Sequence, residues 1–393
     1  MKFLIVIVVL LAVAAIAQAV KVHELAKKLG DKREEDVNVA DNNLNAKLWI
    51  WMAVALVGSF FYMVIRYKDA MLPEAASIHG VEIDKLMDFN MYIICAVFVI
   101  LNIVLMVFAS KYRYQEGKRA FYYPHNNTLE LIWTVIPALV MAVIIIYGLN
   151  VWNDITMSDD DMQPNAVKVQ LYGKQFDWTA RYAGDDNVLG PSSFNFISGT
   201  NPLGIITPEV YDATLAEIEA QMATLRAELK DPALAVSTRE EKVGRIERLQ
   251  RQKVRIIGFN RDNPMYEFAS DDIVMDQGEF YLPVNREVYF EINSRDVIHS
   301  VFMPHFRMQM NAVPGMTTSF RMTPTITTNE MRAKTGNEEF DYILMCNKIC
   351  GAAHYNMKMT VKVVEEEEYT TWLSQQGTFV PKEATEGGLV ENK

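Results

Sequence analysis

Four long apolar stretches constrain the fold of this chain more than any other feature of its sequence. They cover residues 3–20, 48–65, 91–110 and 131–151. Each has close to the roughly 20 residues that a helix needs to cross the hydrocarbon core of a bilayer. The sequence therefore predicts a transmembrane region of four helices over residues 1–152.

Basic loops predict the orientation of these helices, because loops rich in Lys and Arg usually face the cytoplasm. If both basic loops are cytoplasmic, the N-terminus lies outside and everything after residue 151 is exported. The residues concerned lie between the first two stretches and between the last two: Lys21, Lys27, Lys28, Lys32 and Arg33, then Lys111, Arg113, Lys118 and Arg119.

The first stretch has a second interpretation. Lys2, the apolar run and the small residues Ala17 and Ala19 are also typical of a secretory signal with a cleavage site. Cleavage there would leave three spans and keep the polar domain in the cytoplasm. We therefore expect the first helix to be retained.

Short segments rich in β-branched and aromatic residues follow the membrane region, and they predict an exported all-β domain over residues 153–376. Their close spacing favours a sandwich or a barrel. The predicted strands are residues 166–182, 279–293, 297–303, 317–323, 339–345 and 359–364. Residues 377–393 are acidic and contain glycine, which predicts a mobile tail.

A helical hairpin is predicted inside this β domain, over residues 207–256. Thr207 and Pro208 form an N-cap followed by proline at the first helical position. Apolar residues then recur at helical spacing up to Leu229. Ser237 and Glu240 are spaced as a capping box for the second helix. Self-packing of the two helices and docking to a partner both fit this pattern.

A loop near the C-terminus carries the residue types of a metal site. Cys346, Cys350, His354 and Met357 offer two thiolates, an imidazole and a thioether, which together favour copper. A structural zinc site would need a second cysteine pair, and zinc has little use for a thioether. A disulfide remains an alternative in an exported domain. Cys95, the third cysteine, lies in an apolar stretch and is expected to pack there.

One further ligand must come from another part of the fold. His299 ends an apolar strand, where a ligand can be held rigidly, whereas His305 follows a proline and fits a surface or packing role. The net charge of −11 argues against nucleic acid as a partner. Three cysteines without a C-x-x-C-H motif exclude a disulfide framework and a covalent c-type haem.

Five segments of the chain resemble subunit II of the haem-copper cytochrome c oxidases. Their order and spacing agree with that family over roughly residues 91–364. The segments are residues 130–137 (ELIWTVIP), 173–178 (GKQFDW), 296–300 (DVIHS), 311–315 (NAVPG) and 346–357 (CNKICGAAHYNM).

The resemblance implies a cupredoxin-like Greek-key barrel with a binuclear copper centre. Cys346 and Cys350 would bridge two copper ions. His299 and Met357 would complete the coordination of one ion, and His354 with the backbone carbonyl of Lys348 that of the other: His299, Cys346, Lys348, Cys350, His354 and Met357.

The resemblance also implies partners and a place. Cytochrome c, or a cytochrome-bearing complex, would donate electrons near Phe176 and Trp178, and subunit I with its haems would receive them and reduce oxygen to water. Glu130 would stand at the cytoplasmic end of a proton pathway into subunit I of a proton-pumping oxidase. The protein would lie in a bacterial inner membrane, with its C-terminal domain on the periplasmic side.

Three residues depart from the family pattern near the copper loop. Lys348 replaces the usual Glu, whose side chain helps to hold magnesium at the subunit I interface. An ammonium has no lone pair for a cation, so the magnesium site is doubtful. Asn311 and Gln309 replace the common Asp and Lys.

Other functions compete with electron transfer in an oxidase. The related subunit of quinol oxidases lacks the copper ligands, which are present here. A membrane-tethered copper carrier would need an exposed, exchangeable site. Nitrous oxide reductase has a similar loop, but a membrane-anchored form with the Glu130 motif is unexpected.

Overall fold

The structure is a computed structural model that describes residues 2–29, 37–156, 162–276 and 278–381. It divides into two compact units. The first consists of Met1–Leu72 with Phe89–Ala138, and the second of Pro73–Asp88 with Leu139–Lys393. The first unit is helical, and the second contains the β domain.

Four long helices make up the N-terminal region: α1 (Lys2–Leu29), α2 (Val39–Tyr67), α3 (Ile78–Lys111) and α4 (Asn127–Thr156). Among the described residues, three helical segments are long and apolar enough to cross a membrane: Val39–Ala70, Ile78–Lys111 and Asn127–Thr156. Helix α1 covers the first apolar stretch, and its role as a fourth span stays a prediction. Polar residues extend the other three helices beyond their apolar stretches.

Ten strands build the β domain, and their bounds are β1 (Val167–Lys174), β2 (Asp177–Tyr182), β3 (Ile273–Asp276), β4 (Glu279–Pro283), β5 (Val288–Ser294), β6 (His299–Met303), β7 (Met308–Ala312), β8 (Thr318–Met322), β9 (Tyr342–Cys346) and β10 (Lys358–Val364). They form two five-stranded sheets, in the orders β3-β2-β1-β5-β8 and β4-β10-β9-β6-β7. The pairs β1–β5 and β4–β10 are parallel, and the other pairs are antiparallel. The predicted class, membrane helices followed by a cupredoxin-like β domain, is confirmed.

One continuous core joins the two sheets. Large side chains from both sheets are fully buried in it, including Leu171, Phe290, Val301, Leu344 and Val361. Each such side chain contributes about 1.5–3 kcal/mol by leaving water. The core therefore fixes the strand ends at which the candidate ligands lie.

Two of the predicted strands are wrong, because each is two strands. Residues 166–182 form the antiparallel hairpin β1–β2, in which Lys174 pairs with Asp177. Residues 279–293 form β4 and most of β5, which belong to different sheets. Strands β3 and β7 are absent from the predicted strands. Both are short and lie beside polar loops.

The inserted hairpin is present as α5 (Pro208–Glu228) and α6 (Val236–Ile257). The Thr207 side chain accepts a hydrogen bond from Val210 N at 3.2 Å, which confirms the predicted N-cap. The predicted capping box of Ser237 and Glu240 is wrong, since Ala235 occupies the N-cap without a side-chain bond. The two helices share a small core of their own with neighbouring loop residues: Phe196, Ile206, Tyr211, Ile218, Met222, Leu249, Ile256 and Tyr266.

Two further helices, α7 (Thr328–Thr335) and α8 (Glu366–Ser374), complete the domain. The first described residues of the predicted tail, 377–381, return to the domain. There Phe379 N donates to Asp272 O at 2.7 Å, and Val380 N donates to Ser270 O at 3.0 Å. The remainder of the tail lies outside the described residues.

Candidate metal centre

The candidate ligands lie where three neighbouring strands of one sheet begin or end. His299 is the first residue of β6, and Cys346 is the last residue of β9. The loop from residue 347 to residue 357 then leads into β10. Its two ends are tied together, because Cys346 N donates to Met357 O at 3.0 Å. Asn347 N donates to Ser300 O at 3.1 Å, which holds the loop against β6.

Four further donors surround the two cysteine sulfurs: the side chains of His299, His354 and Met357 and the carbonyl of Lys348. The Cys346 and Cys350 sulfurs are 3.9 Å apart. Cys346 Sγ is 3.9 Å from His299 Nδ1 and 3.2 Å from Lys348 O, and Cys350 Sγ is 3.6 Å from His354 Nδ1 and 3.8 Å from Met357 Sδ.

These separations exclude a disulfide and allow both cysteines to bind a metal. A disulfide bond is about 2.05 Å long, so Cys346 and Cys350 at 3.9 Å are free thiols. Metal–sulfur bonds of about 2.3 Å allow two sulfurs at this separation to contact the same ion. The donor set of two thiolates, two imidazoles and a thioether is soft, and it fits copper better than zinc.

The centre is dry. His299 is fully buried, Met357 is 1% exposed and Cys350 is 6% exposed. Burial, and then the neighbouring Cys346 sulfur, raise the pKa of the Cys350 thiol to about 11. A metal that binds here must therefore displace a proton from this thiol.

Asp296 holds the imidazole of His299 in a fixed orientation. Its carboxylate contacts His299 Nε2 at 2.9 Å, which leaves Nδ1 directed at the cysteines. The same carboxylate accepts hydrogen bonds from Gln175 N at 2.8 Å and Val297 N at 2.7 Å. Although burial alone would raise the pKa of Asp296, these hydrogen bonds lower it below its ordinary value. A carboxylate behind a ligating histidine fixes its tautomer and increases its basicity.

The β1–β2 turn clamps the loop from the other sheet. The Gln175 side-chain amide donates to the carbonyl of Cys350. Gly351 has φ +144, and a Cβ there would lie 2.8 Å from the ring of Phe176. Glycine is therefore required at this position, by its backbone conformation and by the close approach of Phe176.

The two aromatic residues predicted to receive electrons differ in exposure. Trp178 is fully buried, and its ring meets the His299 ring edge-on at 5.9 Å. Phe176 is half-buried at the end of the β1–β2 hairpin, against Gly351. Each therefore contacts a different part of the centre, and only Phe176 has a surface that a donor could touch.

The three residues that depart from the family pattern offer magnesium no anionic oxygen. Lys348 is exposed and presents an ammonium where the family has a carboxylate. Gln309 and Asn311 are also exposed, and β7 aligns them with Phe302 and Ser300 of β6. These three side chains carry no anionic oxygen, which magnesium sites in proteins normally use.

The other candidate residues lie elsewhere. Glu130 is in the first turn of α4, where its carboxylate accepts a hydrogen bond from Asn126 N at 3.4 Å. His305 is half-buried between the rings of Phe340 and Tyr342, and burial followed by the charge of Arg307 lowers its pKa. Its packing role agrees with the sequence analysis.

Sequence reasoning did not identify the supporting residues Asp296, Gln175 and Gly351. Asp296 had a usable signal, since an acid three residues before a candidate histidine can reach its ring across a tight bend. Gln175 and Gly351 had none, because their contacts join the β1–β2 turn to a loop that is 175 residues away from Gln175 along the chain.

Two family models match the chain in order. The model of the cytochrome c oxidase subunit II transmembrane domain matches residues 50–151, and that of the periplasmic domain matches residues 267–364. The hairpin of α5 and α6 lies between the two matched segments.

Curated relatives agree over most of the chain. The "Alternative cytochrome c oxidase subunit 2" of Bradyrhizobium diazoefficiens is 28% identical, over 76% of this chain and 81% of that protein. The "Cytochrome c oxidase subunit 2" of Thermostichus vulcanus is 25% identical, over 84% of this chain and 85% of that protein. The protein of the same name from Cereibacter sphaeroides is 24% identical, over 80% of this chain and 81% of that protein.

The matched segments include the metal loop, His299 and three of the long apolar helices, in the order expected for one kind of protein. Together the two family models cover about half of the chain. The chain therefore belongs to the cytochrome c oxidase subunit II family, whose periplasmic domain is the copper-bearing domain through which electrons enter this oxidoreductase complex.

Proposed function

We propose that the β domain receives electrons from a cytochrome c and delivers them to the haems of a partner subunit, which reduces oxygen to water in a proton-pumping oxidase. The proposal depends mainly on one observation. The sulfurs of Cys346 and Cys350 are 3.9 Å apart, and three further side-chain donors and one carbonyl lie 3.2–3.9 Å from one or the other sulfur.

The proposed ligands are divided between two copper ions. Cys346 and Cys350, whose sulfurs are 3.9 Å apart, would hold both ions. His299 and Met357 would serve one ion, and His354 with the Lys348 carbonyl would serve the other. When bound, the copper pair supplies one-electron redox chemistry.

The chain's own residues make this exchange fast by preventing rearrangement. Strand ends fix His299 and Cys346, and the hydrogen bond from Cys346 N to Met357 O closes the loop. Asp296 keeps the His299 ring from turning. Burial of His299 and Met357 excludes water, so little solvent must reorient when the charge changes.

Metal analysis and electron paramagnetic resonance of the purified oxidase complex test the proposal. The expected result is two copper ions per chain that share one unpaired electron in the oxidised state. A single copper ion, or zinc, would contradict it. A copper carrier would instead lose its metal to a mild chelator within minutes, which the buried ligands argue against.

We expect the protein partner to approach the exposed part of the loop. Ile349 and Tyr355 are 87% and 88% exposed, although both are apolar or aromatic residues between ligands. The two side chains give the loop an apolar surface beside the ligands, which suits a protein contact. We propose that the haem-bearing subunit and other oxidase subunits meet this chain in a bacterial inner membrane, with the β domain on the periplasmic side.

Glu130 is proposed to stand at the cytoplasmic start of a proton pathway. It lies in the first turn of α4, where its carboxylate accepts a hydrogen bond from Asn126 N at 3.4 Å. Glu130→Gln is expected to slow proton uptake and turnover, and Glu116→Gln in the preceding loop serves as the control. Unchanged turnover in Glu130→Gln would remove Glu130 from the pathway.

Phe176 and Trp178 are proposed to lie on the route from the donor. Because Trp178 is fully buried beside His299, we expect it to act within the domain and Phe176 at its surface. Trp178→Phe with an unchanged rate of cytochrome c oxidation would show that the indole is not needed.

A further inference from the structure

A polar cleft lies on the outer face of the sheet β3-β2-β1-β5-β8. Tyr172, Arg181 and Asn293 project to this face, because their neighbours along each strand belong to the core. We define the outer cleft as the space that these three residues line together with Arg295 and Thr317. Its volume is about 720 Å³, which is within the range of small-molecule sites in proteins.

A chain of hydrogen bonds crosses the floor of the outer cleft in one direction. Arg181 has no acceptor atom, so its contact with Gln170 at 3.3 Å fixes the amide oxygen of Gln170 toward the guanidinium. The Gln170 nitrogen then donates to Asn293 Oδ1 at 2.9 Å, and the Asn293 nitrogen donates to Thr317 Oγ1 at 2.8 Å. Both amide oxygens are therefore engaged, whereas the Thr317 hydroxyl keeps a hydrogen that it can donate.

Three further donors at the outer cleft have no partner among the described residues. No hydrogen bond or ion pair there involves the Arg295 guanidinium or the Tyr172 hydroxyl. The Arg181 Nε–H is buried and is also without a partner. Burial raises the pKa of Tyr172, so its hydroxyl keeps its proton at neutral pH. A buried donor without a partner costs free energy, which an acceptor oxygen on a ligand would recover.

The charges of the outer cleft favour an anion. Lys168, Arg181 and Arg295 line it together with one carboxylate, that of Glu291. Lys168 and Glu291 have other contacts within the protein, and Arg181 is paired with Asp272. Arg295 therefore offers a ligand an uncompensated positive charge, in a chain whose net charge is −11. A guanidinium presents two parallel N–H groups that match two oxygens of a carboxylate or a phosphate.

We propose that the outer cleft binds a small molecule through a carboxylate or phosphate group. Arg295 holds the oxyanion, and the hydroxyls of Tyr172 and Thr317 donate to it. The three donors come from neighbouring positions, because Tyr172 is the cross-strand partner of Asn293, which is bonded to Thr317. Arg295 follows Asn293 by two residues. None of these residues is a proposed copper ligand, so the site is separate from the metal centre.

Isothermal titration calorimetry of the purified oxidase complex tests the proposal with three probes: inorganic phosphate, succinate and glucose. We expect one phosphate or one succinate to bind per chain, and glucose to bind at least about tenfold more weakly, because it has no charge for Arg295. The anion that binds more tightly identifies the class of the natural ligand as a phosphate ester or a carboxylic acid. No saturable binding of either anion, or equally tight binding of glucose, would overturn the proposal.

Variants assign the binding to the outer cleft. Arg295→Gln removes the charge and is expected to weaken anion binding at least about tenfold. Tyr172→Phe removes one donor and should weaken it about fivefold, the loss expected from one hydrogen bond. Arg248→Gln, at an exposed position of α6, is the matched control and should leave binding unchanged. Binding that is insensitive to Arg295→Gln, or that falls equally in Arg248→Gln, would contradict the assignment.

Two further measurements separate this site from a general loss of structure. The copper content of Arg295→Gln and Tyr172→Phe should equal that of the parent, which shows that the β domain is folded in both. A structure of the complex with the tighter anion should show the oxyanion within hydrogen-bond distance of the Arg295 guanidinium and the Tyr172 hydroxyl. An anion bound only at other surfaces of the complex would overturn the proposal.

Discussion

The metal loop, residues 346–357, and the helical hairpin of α5 and α6 are both insertions between strands, but they depend on the β domain in different ways. The loop is bonded to β6 and to the β1–β2 turn, and it packs into the main core through Cys350 and Met357. The hairpin has a separate core. A change in the sheets should therefore disturb the metal loop more than the hairpin.

This difference explains why the two insertions leave different surfaces. In the loop, four of the five side-chain donors come from twelve consecutive residues, and the fifth, His299, comes from the adjacent strand end. The donor positions are constrained by their neighbours, whereas Ile349 and Tyr355 between them are exposed. The hairpin is held together by its inner face, so the solvent-facing positions of α5 and α6 are less constrained.

The largest effect is expected from removing one of the two proposed bridging sulfurs. Cys350→Ser replaces a soft thiolate with a hard hydroxyl and should abolish the binuclear copper signal, with turnover reduced more than about 100-fold. Metal content and electron paramagnetic resonance are the measurements. The hairpin should remain folded, as far-ultraviolet circular dichroism would show.

Cys95→Ser is the matched control for this change, because Cys95 is half-buried in α3, far along the chain from the metal loop. Its copper content should equal that of the parent. If Cys350→Ser retained two copper ions per chain, Cys350 would not be a bridging ligand.

Buried and exposed ion pairs provide a second contrast between the domain core and the hairpin. Arg181 and Asp272 form a pair in which both side chains are almost fully buried, and Asp272 also accepts a hydrogen bond from Gly190 N at 3.2 Å. Asp272→Asn leaves the Arg181 cation without its counter-charge, so we expect a loss of about 3–5 kcal/mol in the free energy of unfolding.

The hairpin provides the comparison through Asp212, whose carboxylate takes two hydrogen bonds from Arg261 at 2.8 and 2.5 Å. Both side chains are about half exposed. Asp212→Asn should therefore cost less than about 1 kcal/mol. Urea titrations followed by tryptophan fluorescence, at pH 7, measure both variants. Equal losses would contradict the difference between the two regions.

A smaller effect is expected where the two sheets meet at the metal loop. Gln175→Ala removes the hydrogen bond to the Cys350 carbonyl, which is worth about 1 kcal/mol. If that bond differs between redox states, the reduction potential of the centre should shift by up to about 40 mV, with copper content unchanged. Potentiometric titration is the measurement.

Gln221→Ala is the control in the hairpin, because Gln221 also donates to a neighbouring acceptor, Glu217, at 3.0 Å. Its reduction potential should equal that of the parent. A shift as large as that of Gln175→Ala would mean that the centre responds to general changes in the domain rather than to its own clamp.

The parts of the fold that sequence predicts well are those set by local chemistry. Long apolar stretches predict membrane helices, and Thr207 followed by Pro208 predicts the start of α5. The four donors within residues 346–357 can be found by spacing alone. Each of these signals lies within one short segment, so no knowledge of distant contacts is needed.

The missed features depend on contacts between distant segments. The turn at Gln175 and Phe176 contains no glycine or proline, so residues 166–182 read as one strand. Gln175 bonds to Asp296 and Cys350, and these contacts help to hold the turn. Similarly, Arg239 in the first turn of α6 donates to Leu229 O and Asp231 O, just after the end of α5. These contacts accompany an α6 that begins at Val236, so Ser237 lies inside the helix and is not its N-cap.

The smallest effect is expected at Lys348, where side chain and backbone have separate roles. Only the carbonyl lies near the Cys346 sulfur, at 3.2 Å, and the side chain is exposed. Lys348→Ala and Lys348→Glu should both retain two copper ions per chain, because neither changes the carbonyl. Loss of half the copper in either variant would show that the side chain supports the ligand. Retention in both variants would show that the Lys348 ammonium, which stands where the family has a carboxylate, affects only the surface. The copper ligands would then be independent of this side chain.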